Sequence, residues 1–241
     1  MADLVKITIN GKELSVPYDT PLIEACKQAR VHVPTLCYNE NVKAYGVCRI
    51  CSVEVNDGRR TRIVPACVYT VRSEITVETD TDRIRRYRAT LLNLQLARCP
   101  DEKVIQDLAA EYGVTEPHPR LRKEDKHCIL CGLCVRTCAE VVGVSAIGFE
   151  GRGRERKVTP PFDAENPICI ACGACAYVCP TQCIEFGEKD GKRYLKRWHR
   201  EVDMLVCDKC GKYWLPDAVA YVYAKKMGLD PASFTTCPDC R

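Results

Sequence analysis

The sequence predicts an α+β chain built from several small domains, and three observations carry that prediction. Residues 4–16 alternate apolar and polar side chains around an Asn-Gly pair. Residues 81–112 repeat apolar side chains at three- and four-residue steps. Sixteen of the nineteen cysteines fall into four separated sets. At 241 residues the chain has room for two or three small domains.

The elements follow in order. Val5, Ile7 and Ile9 alternate with Lys6, Thr8 and Asn10, and Asn10-Gly11 turns the chain into a second short strand, a β-hairpin. Asp19-Thr20-Pro21 is expected to open a helix carrying Leu22, Ile23, Ala25, Cys26 and Ala29, capped by the residue before the proline. Strands are expected at 51–56, 61–65 and 74–79. Hairpin, helix, cysteine loop and further strands describe a β-grasp domain over 1–80. Ile84, Tyr87, Leu91 and Leu94 mark a helix ended by Pro100, and a second helix near 102–112 stops at Gly113. With Pro117 and Pro119 they form a helical linker, 81–119. Arg83, Arg85, Arg86 and Arg88 are expected to make a solvated helix face or a subunit contact. CILCGLCVRTC at 128–138 recurs as CIACGACAYVC at 169–179, a repeat inside a ferredoxin-like segment, 120–190. A basic stretch, Lys192 to Arg200, leads into a last cysteine module, 191–241.

The cysteine spacings carry the chemistry. Cys128, Cys131, Cys134, Cys138 and Cys169, Cys172, Cys175, Cys179 both read C-x2-C-x2-C-x3-C, the run of two-cluster ferredoxins, in which the fourth cysteine serves the other cluster. One [4Fe–4S] cluster is therefore assigned to Cys128, Cys131, Cys134 and Cys179, and a second to Cys169, Cys172, Cys175 and Cys138. Gly132 and Gly173 are expected to let the backbone approach the inorganic sulfides. Cys37, Cys48, Cys51 and Cys67 depart from the plant-type spacing, with ten residues in place of four, yet four thiolates on such a loop suit a [2Fe–2S] rhomb. Cys207, Cys210, Cys237 and Cys240 form two C-x2-C knuckles with 26 residues between them, a zinc-ribbon-like pattern that fits one zinc or a further [4Fe–4S]. Cys26, Cys99 and Cys183 are read as small buried hydrophobes. Gly151-Arg152-Gly153 lacks the third glycine and the setting of a dinucleotide fingerprint, so no flavin or nicotinamide site is expected.

The segments VPTLCYNE, YGVCRICSVEV and VPACVYTV, with PICIACGACAYVCPT further on, resemble the N-terminal iron–sulfur region of the complex I large subunit. They also resemble the electron-transfer parts of NAD-linked hydrogenases and formate dehydrogenases. The resemblance spans about residues 1–190 and implies an electron-relay subunit working between a flavin, NAD(P)H-oxidising subunit and a catalytic subunit. Those relatives carry a further cluster held by one histidine and three cysteines. In LARCPDEKVIQDLAAEYGV, Cys99 stands where that histidine would be and no cysteine triplet follows, so this cluster and the relatives' catalytic domain are expected to be missing.

Composition narrows the classes. No secretory leader and no apolar run long enough to span a membrane is visible, so a cytoplasmic setting and metal-ligating cysteines are expected rather than disulfides. The formal charge of +4 treats every cysteine as neutral. Sixteen thiolates, offset by about +2 for each of three oxidised cluster cores and for zinc, bring the loaded chain to about −4. That argues against a nucleic-acid partner. The sequence thus predicts a non-catalytic relay with one [2Fe–2S], two [4Fe–4S] and one zinc; a free-standing ferredoxin and a redox-sensing regulator are the alternatives.

Overall fold

The computed structural model describes residues 3–124 and 126–241. The chain divides into two compact units, 1–131 and 132–241.

The first unit is built on a five-stranded sheet. β1 (Leu4–Ile9) and β2 (Lys12–Pro17) form the expected hairpin. Asn10 and Gly11 both take positive φ, which Asn and Gly tolerate best, and this matches the twist of the hairpin. β3 (Thr20–Pro21) comes next and pairs with β6 (Thr70–Val71). The helix α1 (Leu22–Gln28) therefore starts one step later than expected. Its N-cap is Pro21 with no side-chain cap, and the Thr20 hydroxyl donates instead to the Pro17 carbonyl. β4 (Ser52–Asn56), β5 (Thr61–Pro65) and β7 (Ile75–Glu78) complete the sheet in the order β2-β1-β7-β4-β5. β1 and β7 run parallel; the other pairs are antiparallel. Ile7, Ile9, Val53, Val55, Ile75 and Val77 point from alternate strand positions onto Leu22, Ile23 and Cys26 of α1, and burying that apolar face holds the unit together.

α2 (Asp82–Arg98) starts at Thr81, whose hydroxyl accepts the Ile84 N–H, and ends before Pro100. α3 (Lys103–Glu111) packs against it and stops at Gly113, which takes a positive φ.

The second unit contains two short helices, α4 (Leu133–Arg136) and α5 (Ala174–Tyr177), which pack on each other. Each follows a glycine in the left-handed region: Gly132 at φ 72° and Gly173 at φ 80°. A π-helical turn, Thr137–Val142, extends α4 and packs on α5. β8 (Gly148–Glu150) and β9 (Lys157–Thr159) form a hairpin whose loop holds Gly151 and Gly153. β10 (Phe186–Lys189), β11 (Lys192–Leu195), β12 (Arg200–Val206) and β13 (Tyr213–Pro216) form an antiparallel meander, and α6 (Asp217–Met227) packs on β12 and β13. The β10–β11 turn lies at residues 190 and 191, so this sheet draws strands from both sides of that point. Among the described residues, no helix is long and apolar enough to cross a membrane.

Candidate metal centres

Cys37 follows α1, Cys48 and Cys51 lie on the loop ahead of β4, and Cys67 follows β5; all four are buried. The Cys37 thiol group contacts those of Cys48 and Cys67, and Cys51 contacts Cys67. Hydrogen bonds from Cys48 and Cys67 pull Cys37 down to about 2, and the bond from Cys67 holds Cys51 at about 7. Cys48 and Cys67, bonded to Cys37, are pushed up. Four buried sulfurs this close repel one another as thiolates unless a positive core lies among them, so the donor set fits a metal cluster.

Arg88 holds this loop in place. It sits in the apolar stripe Ile84–Arg88–Leu92–Leu96 of α2 and is 2% exposed. Its Nε donates to the Ile50 carbonyl at 3.0 Å, one terminal nitrogen to the Ser52 carbonyl at 2.9 Å, and the other to the Tyr112 hydroxyl at 3.0 Å. Ile50 and Ser52 flank Cys51. The pairing of β4 with β7 ends at Glu54–Glu78, and Ser52 lies beyond that end, where the guanidinium takes the place of a strand. The expectation that Arg88 belongs to a solvated face is therefore corrected: a fixed fork of donors satisfies carbonyls that the sheet leaves behind. Arg83 and Arg85 do face solvent, paired with Glu54 and Asp80.

The two ferredoxin runs show the same device. Cys128 and Cys131 close the first unit. Leu130 between them takes φ 54°, and its N–H reaches the Cys128 sulfur at 3.4 Å. Arg98, at the end of α2, donates from Nε to the Cys128 carbonyl at 2.9 Å and pairs with Glu124, four residues before that cysteine. In the second unit Arg200 donates from Nε to the Cys169 carbonyl at 2.7 Å and pairs with Glu165, again four residues before. Ala171 matches Leu130, with φ 50°. A Cβ on Gly173 would come within 2.7 Å of the Phe186 ring, so only glycine fits beside the run.

Cys169, Cys172, Cys175 and Cys138 line one narrow hollow, walled by Val142, Ile170, Leu195 and Trp198. Cys138 comes from the π-helical turn, and its sulfur accepts the Ala146 N–H at 3.2 Å. Burial pushes Cys169 and Cys172 up and Cys175 to about 12. Trp198, 1% exposed, donates from Nε1 to the Cys175 sulfur at 3.3 Å. Cys134 lies buried on α4. Cys179, after α5, has Cys183 at 3.7 Å and Thr181 at 3.6 Å, and is pulled down to about 5, chiefly by Cys183.

Cys207, Cys210, Cys237 and Cys240 form the tightest group: their sulfurs all lie within 4.8 Å of one another. The Cys237 N–H donates to the Cys207 sulfur at 3.3 Å and lowers that thiol to about 6. Four sulfurs about 2.3 Å from a single ion stand about 3.8 Å apart, whereas a cubane spreads its ligands around four irons. The 3.7 Å between the Cys210 and Cys237 sulfurs fits the single ion.

Cys99 caps α2 and is fully buried, its thiol pushed up to about 12 by burial; Cys26 lies in the first core, pushed up to about 11. No disulfide is present among the described residues. The sequence reading missed Arg98, Trp198 and Arg200 as supports of the cysteine runs. Its one available signal was Arg88, a charged residue at the centre of an apolar stripe with four-residue spacing.

Residues 2–82 match the 2Fe-2S iron-sulfur cluster binding domain. Over 234 aligned residues the chain is 30% identical to a subunit of the NADH-quinone oxidoreductase of Rhizobium meliloti, covering 86% of this chain and 27% of that protein. It is 32% identical to the HndD subunit of the NADP-reducing hydrogenase of Solidesulfovibrio fructosivorans, covering 74% of this chain and 35% of the relative. A solved NAD+-reducing [NiFe]-hydrogenase in the H2-reduced state superposes with a TM-score of 0.56 at 26% identity, covering 65% of this chain and 74% of that one. These are the homologues that the cysteine motifs led one to expect. The chain spans about a quarter to a third of the length of the two curated relatives.

Proposed function

We propose that this chain is a non-catalytic electron relay of an NAD(P)H-linked oxidoreductase, passing electrons between a flavin-bearing subunit and a catalytic subunit. The observation that carries the reading is the repeated construction of three cysteine sites. In each, a largely buried arginine grips a backbone carbonyl at or beside a cysteine, so the loop cannot relax when charge arrives. Cys37, Cys48, Cys51 and Cys67, in a β-grasp domain at 1–80, would hold a [2Fe–2S] cluster. In a two-cluster ferredoxin-like domain at 120–190, Cys169, Cys172, Cys175 and Cys138 would hold one [4Fe–4S], supported by their common hollow. Cys128, Cys131, Cys134 and Cys179 would hold the other. These groups supply one-electron oxidation and reduction; the protein binds them, shields them from water and donates hydrogen bonds to their sulfurs.

The compact tail set, Cys207, Cys210, Cys237 and Cys240, would bind one zinc in a zinc-ribbon-like module at 191–241. Zinc is redox-silent, so that module shapes the chain rather than carrying electrons. The reading places the chain in a reducing cytoplasm, where cysteine sets of this spacing serve as metal ligands, and the loaded charge gives no reason for a nucleic-acid partner. Metal analysis of anaerobically purified chain tests the reading: about ten irons and one zinc are expected. About fourteen irons without zinc would replace the zinc by a third cubane, and fewer than ten would remove a station.

A further inference from the structure

The segment joining β11 to β12 carries a device that neither the cysteine motifs nor the relatives' names assign. Within six residues it places two side chains on the hollow lined by Cys138, Cys169, Cys172 and Cys175, and a third on the backbone of one of those cysteines. Leu195 closes the wall at 1% exposure. Trp198, equally buried, puts its indole N–H 3.3 Å from the Cys175 sulfur. Arg200 grips the Cys169 carbonyl at 2.7 Å and is itself held by Glu165 at 2.6 Å. His199, between them, takes φ 50°, a left-handed turn that lets Trp198 enter the hollow while Arg200 starts β12.

A buried indole N–H aimed at a ligand sulfur has one strong electrostatic effect. It stabilises negative charge on that sulfur, and the charge is greater in the reduced cluster than in the oxidised one. The Arg200 guanidinium, on the carbonyl of Cys169 in the same set, acts in the same sense, and the indole does so inside a low-dielectric pocket. We infer that Trp198 and Arg200 are positioning residues that raise the reduction potential of this one [4Fe–4S] site, making it an electron-accepting station. The inference rests on the reading of that hollow as a cluster site. It also ties the β10–β13 sheet to the ferredoxin runs, because the sheet delivers the groups that set the potential.

The test uses the full chain, anaerobically loaded, with EPR-monitored redox titration and iron analysis. Trp198→Phe keeps an aromatic ring but removes the N–H. All irons should remain, and one [4Fe–4S] midpoint should fall so that its reduced-to-oxidised ratio at fixed poise drops about tenfold, about 59 mV for one electron. Arg200→Gln should move the same midpoint in the same direction, while the other two clusters stay put. Full iron with an unchanged midpoint in Trp198→Phe would overturn the inference. If Trp198→Phe loses iron, the isosteric replacement of Trp198 by benzothienylalanine decides, since it keeps the shape and lacks only the N–H. A lowered midpoint there upholds the inference. An unchanged midpoint, or loss of the cluster again, overturns it, the latter because the N–H would then hold the cluster rather than set its potential. Failure of the functional reading looks different: the unmodified chain would itself lack two [4Fe–4S] signals.

Discussion

Replacing Arg88 by methionine should loosen the [2Fe–2S] loop by an amount that the structure lets one work out. Methionine keeps much of the apolar stem but removes every donor, leaving the Ile50 and Ser52 carbonyls without the guanidinium. Each buried polar group left unsatisfied costs about 1–3 kcal/mol, so two cost about 2–6 kcal/mol. Removing a buried charge returns part of that, since a guanidinium is expensive to bury, which favours a loss of about 2–4 kcal/mol. In a unit of this size, 1 kcal/mol moves the midpoint by about 3 °C, so the first unit of R88M should melt about 6–12 °C lower. The assay is thermal melting of the full chain, followed by far-UV circular dichroism and by the visible dichroism of the binuclear cluster. Both signals should shift down together, with Arg88→Lys in between, because one ammonium cannot reach three acceptors in fixed directions. A midpoint within about 1 °C of the unmodified chain would refute the reasoning, showing that Arg88 is a passenger and the carbonyls are satisfied another way.

Cys48→Ala should remove the binuclear signal while leaving both [4Fe–4S] signals, measured by EPR of the reduced chain. Cys99→Ser should leave every cluster in place. In the native chain Cys99 should also resist alkylation at pH 8, because a thiol pushed up to about 12 is ionised in only about one molecule in 10⁴ there. Its raised pKa means that the folded state holds the proton, so reactivity should appear only on unfolding. Truncation after Asp190 removes Leu195, Trp198 and Arg200 with the tail. One [4Fe–4S] should therefore be lost or shifted, and a truncated chain with both clusters unchanged would contradict the role of that wall.

Much of this organisation was legible because it is local. Alternation in 4–16, the Asn-Gly turn, the three- and four-residue apolar steps from Ile84, Pro100 and Gly113 each act over a few residues, and the hairpin and both helices lie where those signals put them. The C-x2-C spacings are local signals of the same kind. What escaped notice was held together across the chain. Thr20-Pro21 forms a strand because residues 70–71 lie beside it, and this displaces the start of α1. Arg88, Arg98 and Arg200 look like ordinary surface charges until the loops they grip, 36–38, 30 and 31 residues away, fold against them. Trp198 reads as an isolated aromatic in a basic stretch; only the β11–β12 turn aims its N–H at a sulfur.

Helix α2 is also a ruler. Arg88 grips the carbonyls beside Cys51 and Arg98 grips that of Cys128, and ten residues of α-helix separate the two grips by about 15 Å. The spacing between two ligand loops is thereby written as a residue count in a rigid rod, independent of how the intervening loops thread. A substitution on the rod's solvent face would leave the gauge unchanged. Inserting one residue between the grips would lengthen the rod by about 1.5 Å and swing one arginine about 100° around the axis, so that only one of the two loops could still be held. Length, more than composition, is the property of this helix that the proposed electron path would depend on.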